Sequence, residues 1–109
     1  MNERIPDISR QVPHRAPVEW KEEQGRITVT QQRQGAVRRG ILKLFSIPGE
    51  VAFHLDPIGS EVWRLMDGVR TVGQIRDDLQ ARFPTETDLP RRLGQFFSVM
   101  VSRRLVELR

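Results

Sequence analysis

Alternating hydrophobic and polar positions in the first half of the chain predict short β-strands. Val18–Glu23 and Arg26–Gln31 are two such runs on either side of Gln24 and Gly25, a pattern typical of a β-hairpin with a tight turn. Val51–Asp56 alternates in the same way and predicts a third strand, with Ala52 and His54 facing outward. We expect Trp20 to cover the core or an edge of this sheet.

The second half of the chain has the three- and four-residue hydrophobic spacing of amphipathic helices. Asp56 is expected to cap the first helix and Thr71, with Gln74, to form a capping box on the second. Asp88 is expected to cap the third helix, with Pro90 in its first turn. The apolar faces of the three helices are Ile58, Val62, Leu65 and Met66; Val72, Ile75, Leu79 and Phe83; and Leu89, Leu93, Phe96, Phe97 and Met100.

These elements predict an α+β fold that is winged helix-turn-helix-like, with three N-terminal β-strands followed by three α-helices. The third helix is expected to run from Leu89 to about Arg103, and Leu105–Leu108 to form a last strand. Residues 1–17 contain several prolines and are expected to form a flexible arm. Residues 18–109 would then form the folded domain, with 32–47 inserted between two strands.

The segment 32–47 has two interpretations. Apolar residues recur at helical spacing with basic residues between them, which would suit a short helix that contacts a membrane surface or a partner. The same residues also fit a strand or loop that covers the core. They are Val37, Ile41, Leu44 and Phe45, with Arg38, Arg39 and Lys43 between them.

Composition limits the classes of function. The chain has 109 residues, a formal net charge of +4 and no cysteine, so it has room for one small core and no disulfide or thiolate metal site. It has no apolar run long enough for a signal peptide or a membrane span. We therefore expect a cytoplasmic protein with no stable membrane insertion.

The residue types that catalyse reactions are not grouped in this sequence. His14 and His54 have no carboxylate or cysteine at a metal-ligand spacing. Asp77 and Asp78 are adjacent on a helix, where neighbouring side chains point about 100° apart. Glycine-rich phosphate-binding motifs are missing as well. The sequence thus predicts no enzyme, no catalytic or metal residue and no cofactor.

The third predicted helix suggests a binding surface. Basic residues lie at its two ends, at Arg91, Arg92, Arg103 and Arg104, and its centre is apolar. Only Gln95 is suited to hydrogen bonding with a base edge, so a peptide groove is favoured and nucleic acid is not expected. The alternative is a winged-helix DNA-binding transcriptional regulator, which would bind duplex DNA with a steep salt dependence.

One stretch resembles a known family. Leu55-Asp56-x-x-Gly59-x-x-Val62-Trp63-x-Leu65-Met66-Asp67-Gly68-x-Arg70-Thr71-Val72-x-x-Ile75, followed by Leu79 and Phe83, resembles the PqqD-like proteins, the peptide chaperone of pyrroloquinoline quinone biosynthesis and its relatives. The resemblance covers residues 50–108 well and the first hairpin loosely. It implies a winged helix-turn-helix of three strands and three helices, which binds a precursor leader peptide as an added strand beside the third strand and against the third helix.

By element, the resemblance implies a groove between Val51–Asp56 and the helix Leu89–Arg103. The protein would be a non-catalytic module that presents the leader of a ribosomally synthesised peptide to a radical SAM or other peptide-modifying enzyme. The peptide, the enzyme and the oligomeric state stay open, and a homodimer formed by strand exchange is one alternative. The implied peptide-binding residues are Ala52, His54, Arg92, Gln95, Phe96, Val99 and Arg103.

Overall fold

A computed structural model of the protein describes residues 8–32 and 50–109. Its described part is α+β, with three helices and two small antiparallel sheets, which confirms the predicted class. Both interpretations of Val37–Phe45 lie outside the described residues. In chain order the elements are β1 (Pro13–Arg15), β2 (Glu19–Glu23), β3 (Arg26–Gln32), β4 (Glu50–His54), α1 (Pro57–Leu65), α2 (Val72–Arg82), α3 (Leu89–Ser102) and β5 (Val106–Leu108).

The larger sheet has the strand order β2-β3-β4. Gln24 and Gly25 join β2 to β3 with φ angles of 53° and 80°, the pair of positive values that a type I′ turn requires. The predicted hairpin is therefore confirmed. Trp20 is 42% exposed and packs edge-on against Trp63 with ring centroids 6.3 Å apart, so it covers the edge of the core.

The smaller sheet pairs β1 with β5. Val12 and Arg109 exchange two backbone hydrogen bonds of 2.7 and 3.0 Å, and the Ala16 amide donates to the Leu105 carbonyl at 2.9 Å. Residues 13–15 belong to the segment predicted to form an arm, and no sequence pattern indicated their pairing. The sheet thus joins the two ends of the described chain.

Helix capping follows the predictions at two of three positions. The Asp56 carboxylate accepts the Gly59 amide of α1 at 2.6 Å, and Thr71 and Gln74 form the full capping box on α2. Asp88 occupies the predicted N-cap position of α3, but its carboxylate makes no capping bond to the helix backbone and instead binds Arg91. A side chain engaged by a neighbouring guanidinium is not oriented toward the helix amides.

The core lies between the three helices and the inner face of the larger sheet. Ile27 and Val29 of β3 are fully buried against helix residues such as Trp63, Ile75 and Phe97. Ser60, the one buried polar residue of the described chain, accepts the Ile27 amide at 2.8 Å and donates to the Leu55 carbonyl at 3.3 Å. These bonds tie the start of α1 to the sheet.

Candidate functional site

Strand β4 has one unpaired edge within the described residues. Val29 pairs with Phe53 and Ile27 lies opposite Leu55, whose amide donates to the Ile27 carbonyl at 2.9 Å. In an antiparallel ladder the residues between such pairs point their N–H and C=O groups to the other side. The backbone groups of Ala52 and His54 therefore face the edge at which no described strand pairs.

A groove lies beside this edge, between β4 and α3. It has a volume of about 360 Å³ and is bordered by His54, Gln95, Phe96 and Val99. Val99 is 50% exposed and so presents apolar surface to this space. We call this space the β4–α3 groove.

Phe96 forms the floor where the β4–α3 groove meets α1. Its ring is half-buried and packs edge-on against Phe97 at 5.5 Å. A Cβ atom at Gly59 would lie 3.3 Å from Phe96 and 3.1 Å from the Asp56 carboxylate. The glycine therefore lets the ring approach the first turn of α1 closely. Because Gly59 has no side chain, its sequence position alone did not indicate that it borders the groove.

Arg92 is already neutralised at one end of the groove. Its guanidinium donates to Glu86 at 2.8 Å and to Asp56 at 3.3 Å. Arg92 also lines an adjoining pocket with Gln95 and Phe96. Because both carboxylates lie close, this end of the groove holds less free positive charge than the sequence suggested.

Arg103 lies at the other end, beyond the residues that border the groove. Its guanidinium carbon is 5.8 Å from the centroid of the Phe53 ring, within the range of a cation–π contact. Its carbonyl accepts the Gln31 side-chain amide at 2.7 Å. Within the described residues Arg103 has no acidic partner, so its charge is available to a ligand.

The predicted residues thus fall into two sets. His54, Gln95, Phe96 and Val99 border one groove, with Arg92 in the adjoining pocket, while Ala52 and Arg103 line neither. The side chains of Ala52 and His54 lie on the outer face of the sheet, where the His54 ring nitrogen contacts the Thr28 hydroxyl at 3.1 Å.

Sequence reasoning missed Leu55, Asp56, Gly59 and Met100 as groove residues. Asp56 and Gly59 carried a signal in the resembling stretch, but as a cap and a glycine of the family pattern.

Shifted pKa values occur away from this groove. The Arg64 guanidinium lowers the pKa of Glu22 by hydrogen bonding to it, and the Asp88 carboxylate raises the pKa of Arg91. In the described part of the chain no cluster of histidine and carboxylate side chains could hold a metal ion. Within the same residues no helix combines the length and hydrophobicity needed to cross a membrane.

Fold and site together define a small α+β protein in which an edge strand and the last helix border an open groove. A family model described as "Coenzyme PQQ synthesis protein D (PqqD)" matches residues 43–106, and the chain belongs to this family. The suspected resemblance is thereby confirmed. Searches of curated proteins and of solved structures found no match.

Proposed function

We propose that this protein is a non-catalytic, cytoplasmic peptide-binding module with a winged-helix-like arrangement. It would capture the leader of a ribosomally synthesised precursor peptide as a strand added to β4 and present it to a radical SAM or other modifying enzyme. Membership of the PqqD family supports a precursor-peptide chaperone role of the type found in PQQ synthesis, in a family of non-catalytic accessory proteins. The observation that carries the proposal is the outward-facing backbone of Ala52 and His54 beside the β4–α3 groove.

The free energy of binding requires both backbone hydrogen bonds and side-chain contacts. Two outward-facing residues offer up to four backbone hydrogen bonds, which at ~0.5–1.5 kcal/mol each contribute roughly 2–6 kcal/mol. Micromolar affinity needs ~8 kcal/mol. Side chains of the leader must therefore bind Phe96 and Val99, and an acidic leader residue would be stabilised best by Arg103, because Arg92 is already paired with Glu86 and Asp56.

A DNA-binding role has less support. The exposed residues in the middle of α3 are Gly94, Gln95, Ser98 and Val99, and none of them carries a positive charge. Arg91, near the start of the helix, is bound to Asp88. Base recognition in the major groove needs several polar or basic side chains on one helix face.

The test is titration calorimetry of the protein with the leader of a precursor peptide encoded beside its gene. Val99→Glu should weaken binding about tenfold or more, because it places a carboxylate in the apolar part of the groove. Val69→Glu is the matched control, since Val69 is 76% exposed on the turn before α2 and lines no described groove. Sedimentation of the same samples distinguishes a monomer from the alternative of a homodimer formed by strand exchange.

Equal affinities for Val99→Glu and the unchanged protein would contradict the proposed groove. Tight binding of duplex DNA with a steep salt dependence, combined with no binding of the leader, would favour the regulator instead.

A further inference from the structure

Helix α3 has an exposed valine on each of two opposite flanks. Val99 and Val101 are 50% and 41% exposed, and residues two positions apart on an α-helix point about 200° apart. Val99 borders the β4–α3 groove, whereas Val101 lines a separate groove on the other side of the helix. The proposed leader site uses only the first flank.

This second space, which we call the C-terminal groove, lies between the end of α3 and the β1–β5 sheet. It has a volume of about 540 Å³. Its apolar part is formed by Ala16, Pro17 and Val101 with Val106 and Leu108 of β5, of which Val106 is buried and Leu108 half-buried. A hydrophobic side chain of a partner would find a firm surface here, because Val106 belongs to the core.

The charges around the C-terminal groove are mostly positive. Arg15, Arg104 and Arg109 line it with a single acidic side chain, that of Glu107. Arg109 binds Glu107 at 2.7 Å, and Arg15 lies over the Trp20 ring at 5.2 Å. Within the described residues Arg104 is exposed and has neither an ion pair nor a side-chain hydrogen bond.

Arg104 also occupies a backbone position that favours glycine. Its φ angle is 62°, and it ends α3 in a Schellman motif in which the Leu105 amide donates to Met100 at 2.9 Å and the Arg104 amide donates to Val101 at 3.0 Å. A side chain in this conformation costs stability relative to glycine. No ion pair or side-chain hydrogen bond of the described chain offsets that cost, whereas a ligand carboxylate would give the guanidinium a partner.

We propose that the C-terminal groove docks an acidic segment of a partner protein that also carries hydrophobic side chains. Charge complementarity favours this occupant over a second copy of the chain, because a two-fold contact would bring the arginines of one copy against those of the other. The apolar surface of Val101 and Leu108 favours a peptide over a nucleic acid, because a peptide can cover it with aliphatic side chains and a sugar-phosphate backbone cannot. Leader and partner segment would then bind on opposite flanks of α3.

The probe for this site is a synthetic peptide of alternating valine and glutamate, titrated into ¹⁵N-labelled full-length protein. We expect chemical-shift changes centred on Val101, Arg104, Val106 and Leu108. A peptide of alternating valine and lysine should produce no saturable changes at these amides. The measurement uses no leader peptide, so it is independent of the function proposed for the β4–α3 groove.

Arg104→Glu should weaken binding of the acidic peptide about three- to tenfold, through loss of one ion pair and added repulsion. Arg104→Gly should also weaken it, and this variant separates binding from misfolding because the fold is expected to gain stability. Arg91→Glu is the control, with the same charge change at the opposite end of α3.

Three results would overturn the proposal. They are shift changes confined to the residues of the β4–α3 groove, equal binding of the acidic and basic peptides, and unchanged affinity in both Arg104 variants. Saturable binding of duplex DNA at the same amides, stronger than that of the acidic peptide, would identify the groove as a nucleic-acid surface and would equally overturn it.

Discussion

At the scale of single residues, Arg104 and Gln24 are the two non-glycine residues of the described chain with a positive φ angle, and Arg104 is the one at the end of a helix. A left-handed φ angle costs a non-glycine residue ~1–2 kcal/mol in the folded state. Glycine avoids this cost, but fixing its more flexible backbone on folding costs ~0.5–1 kcal/mol. Arg104→Gly should therefore raise the free energy of unfolding by about 0.5–1 kcal/mol, measured by urea denaturation. Arg103→Gly, at a φ of −90°, is the control and should bring no gain. A lower stability for Arg104→Gly would show that the arginine side chain stabilises the fold.

The Asp67 carboxylate is hydrogen-bonded to the backbone of the turn between α1 and α2. It accepts the amides of Arg70 and Val69 at 2.9 and 3.0 Å, and these bonds lower the pKa of Asp67 below its ordinary value of 3.8. Since the folded pKa is the lower one, the charged carboxylate stabilises the fold above the ordinary pKa. This stabilisation is lost as the pH falls through the folded pKa.

Asp67→Asn should consequently be less stable than the unchanged protein at neutral pH, and the difference should narrow below about pH 4. Urea unfolding at a series of pH values checks this expectation. A difference that stays constant across the series would mean that the asparagine disturbs the turn by its shape and not by its missing charge.

At the scale of elements, Asp56 and Asp88 occupy equivalent positions before two helices but have different partners. The Asp56 carboxylate accepts the Gly59 amide of α1, whereas the Asp88 carboxylate binds the Arg91 side chain and makes no capping bond to α3. Asp56→Ala should lower the free energy of unfolding by about 1 kcal/mol, the usual cost of losing an N-cap. Asp88→Ala should cost clearly less. Equal losses in thermal or urea unfolding would contradict the different capping of the two helices.

Elements with local signals could be predicted from the sequence. The hairpin follows from Gln24-Gly25 between alternating runs, and α2 follows from its capping box and apolar stripe. Strand β1 could not be predicted, because three residues that begin with proline carry no pattern and their partner β5 lies at the other end of the sequence. Likewise, the Asp88 carboxylate could bind either the first amides of α3 or the Arg91 guanidinium, and the residue type alone does not decide between them.

At the scale of the whole molecule, the candidate site was predictable where it depends on one segment and not where it depends on contacts between segments far apart in the sequence. The family resemblance implied β4 and α3 as the two sides of a groove, and Phe96 and Val99 belong to the apolar centre of α3. The sequence did not predict that Glu86 and Asp56 neutralise Arg92, because that network depends on how the start of α1 lies beside α3. The C-terminal groove was not predicted either, since it requires the pairing of β1 with β5.

The described N-terminal segment is hydrogen-bonded to the start of α2 as well as paired with β5. The first two amides of α2, those of Val72 and Gly73, donate to the carbonyls of Gln11 and Ser9 at 2.9 Å each. A Cβ atom on Gly73 would lie 3.2 Å from the Ser9 carbonyl oxygen, closer than most such contacts. Glycine at this position therefore allows the segment to lie directly against the start of the helix.

Gly73→Ala should lower the free energy of unfolding by ~1 kcal/mol or more, because the backbone of Ser9 must move away. It should also speed hydrogen exchange at the Val12 and Arg109 amides, which join the two ends of the described chain. Gly94→Ala in α3 is the matched control, with no atom within 4 Å of the added Cβ, and should raise stability by about 0.5–1 kcal/mol through helix propensity. If both alanine variants were stabilised alike and exchange at Val12 stayed unchanged, the N-terminal segment would not depend on its contact with α2.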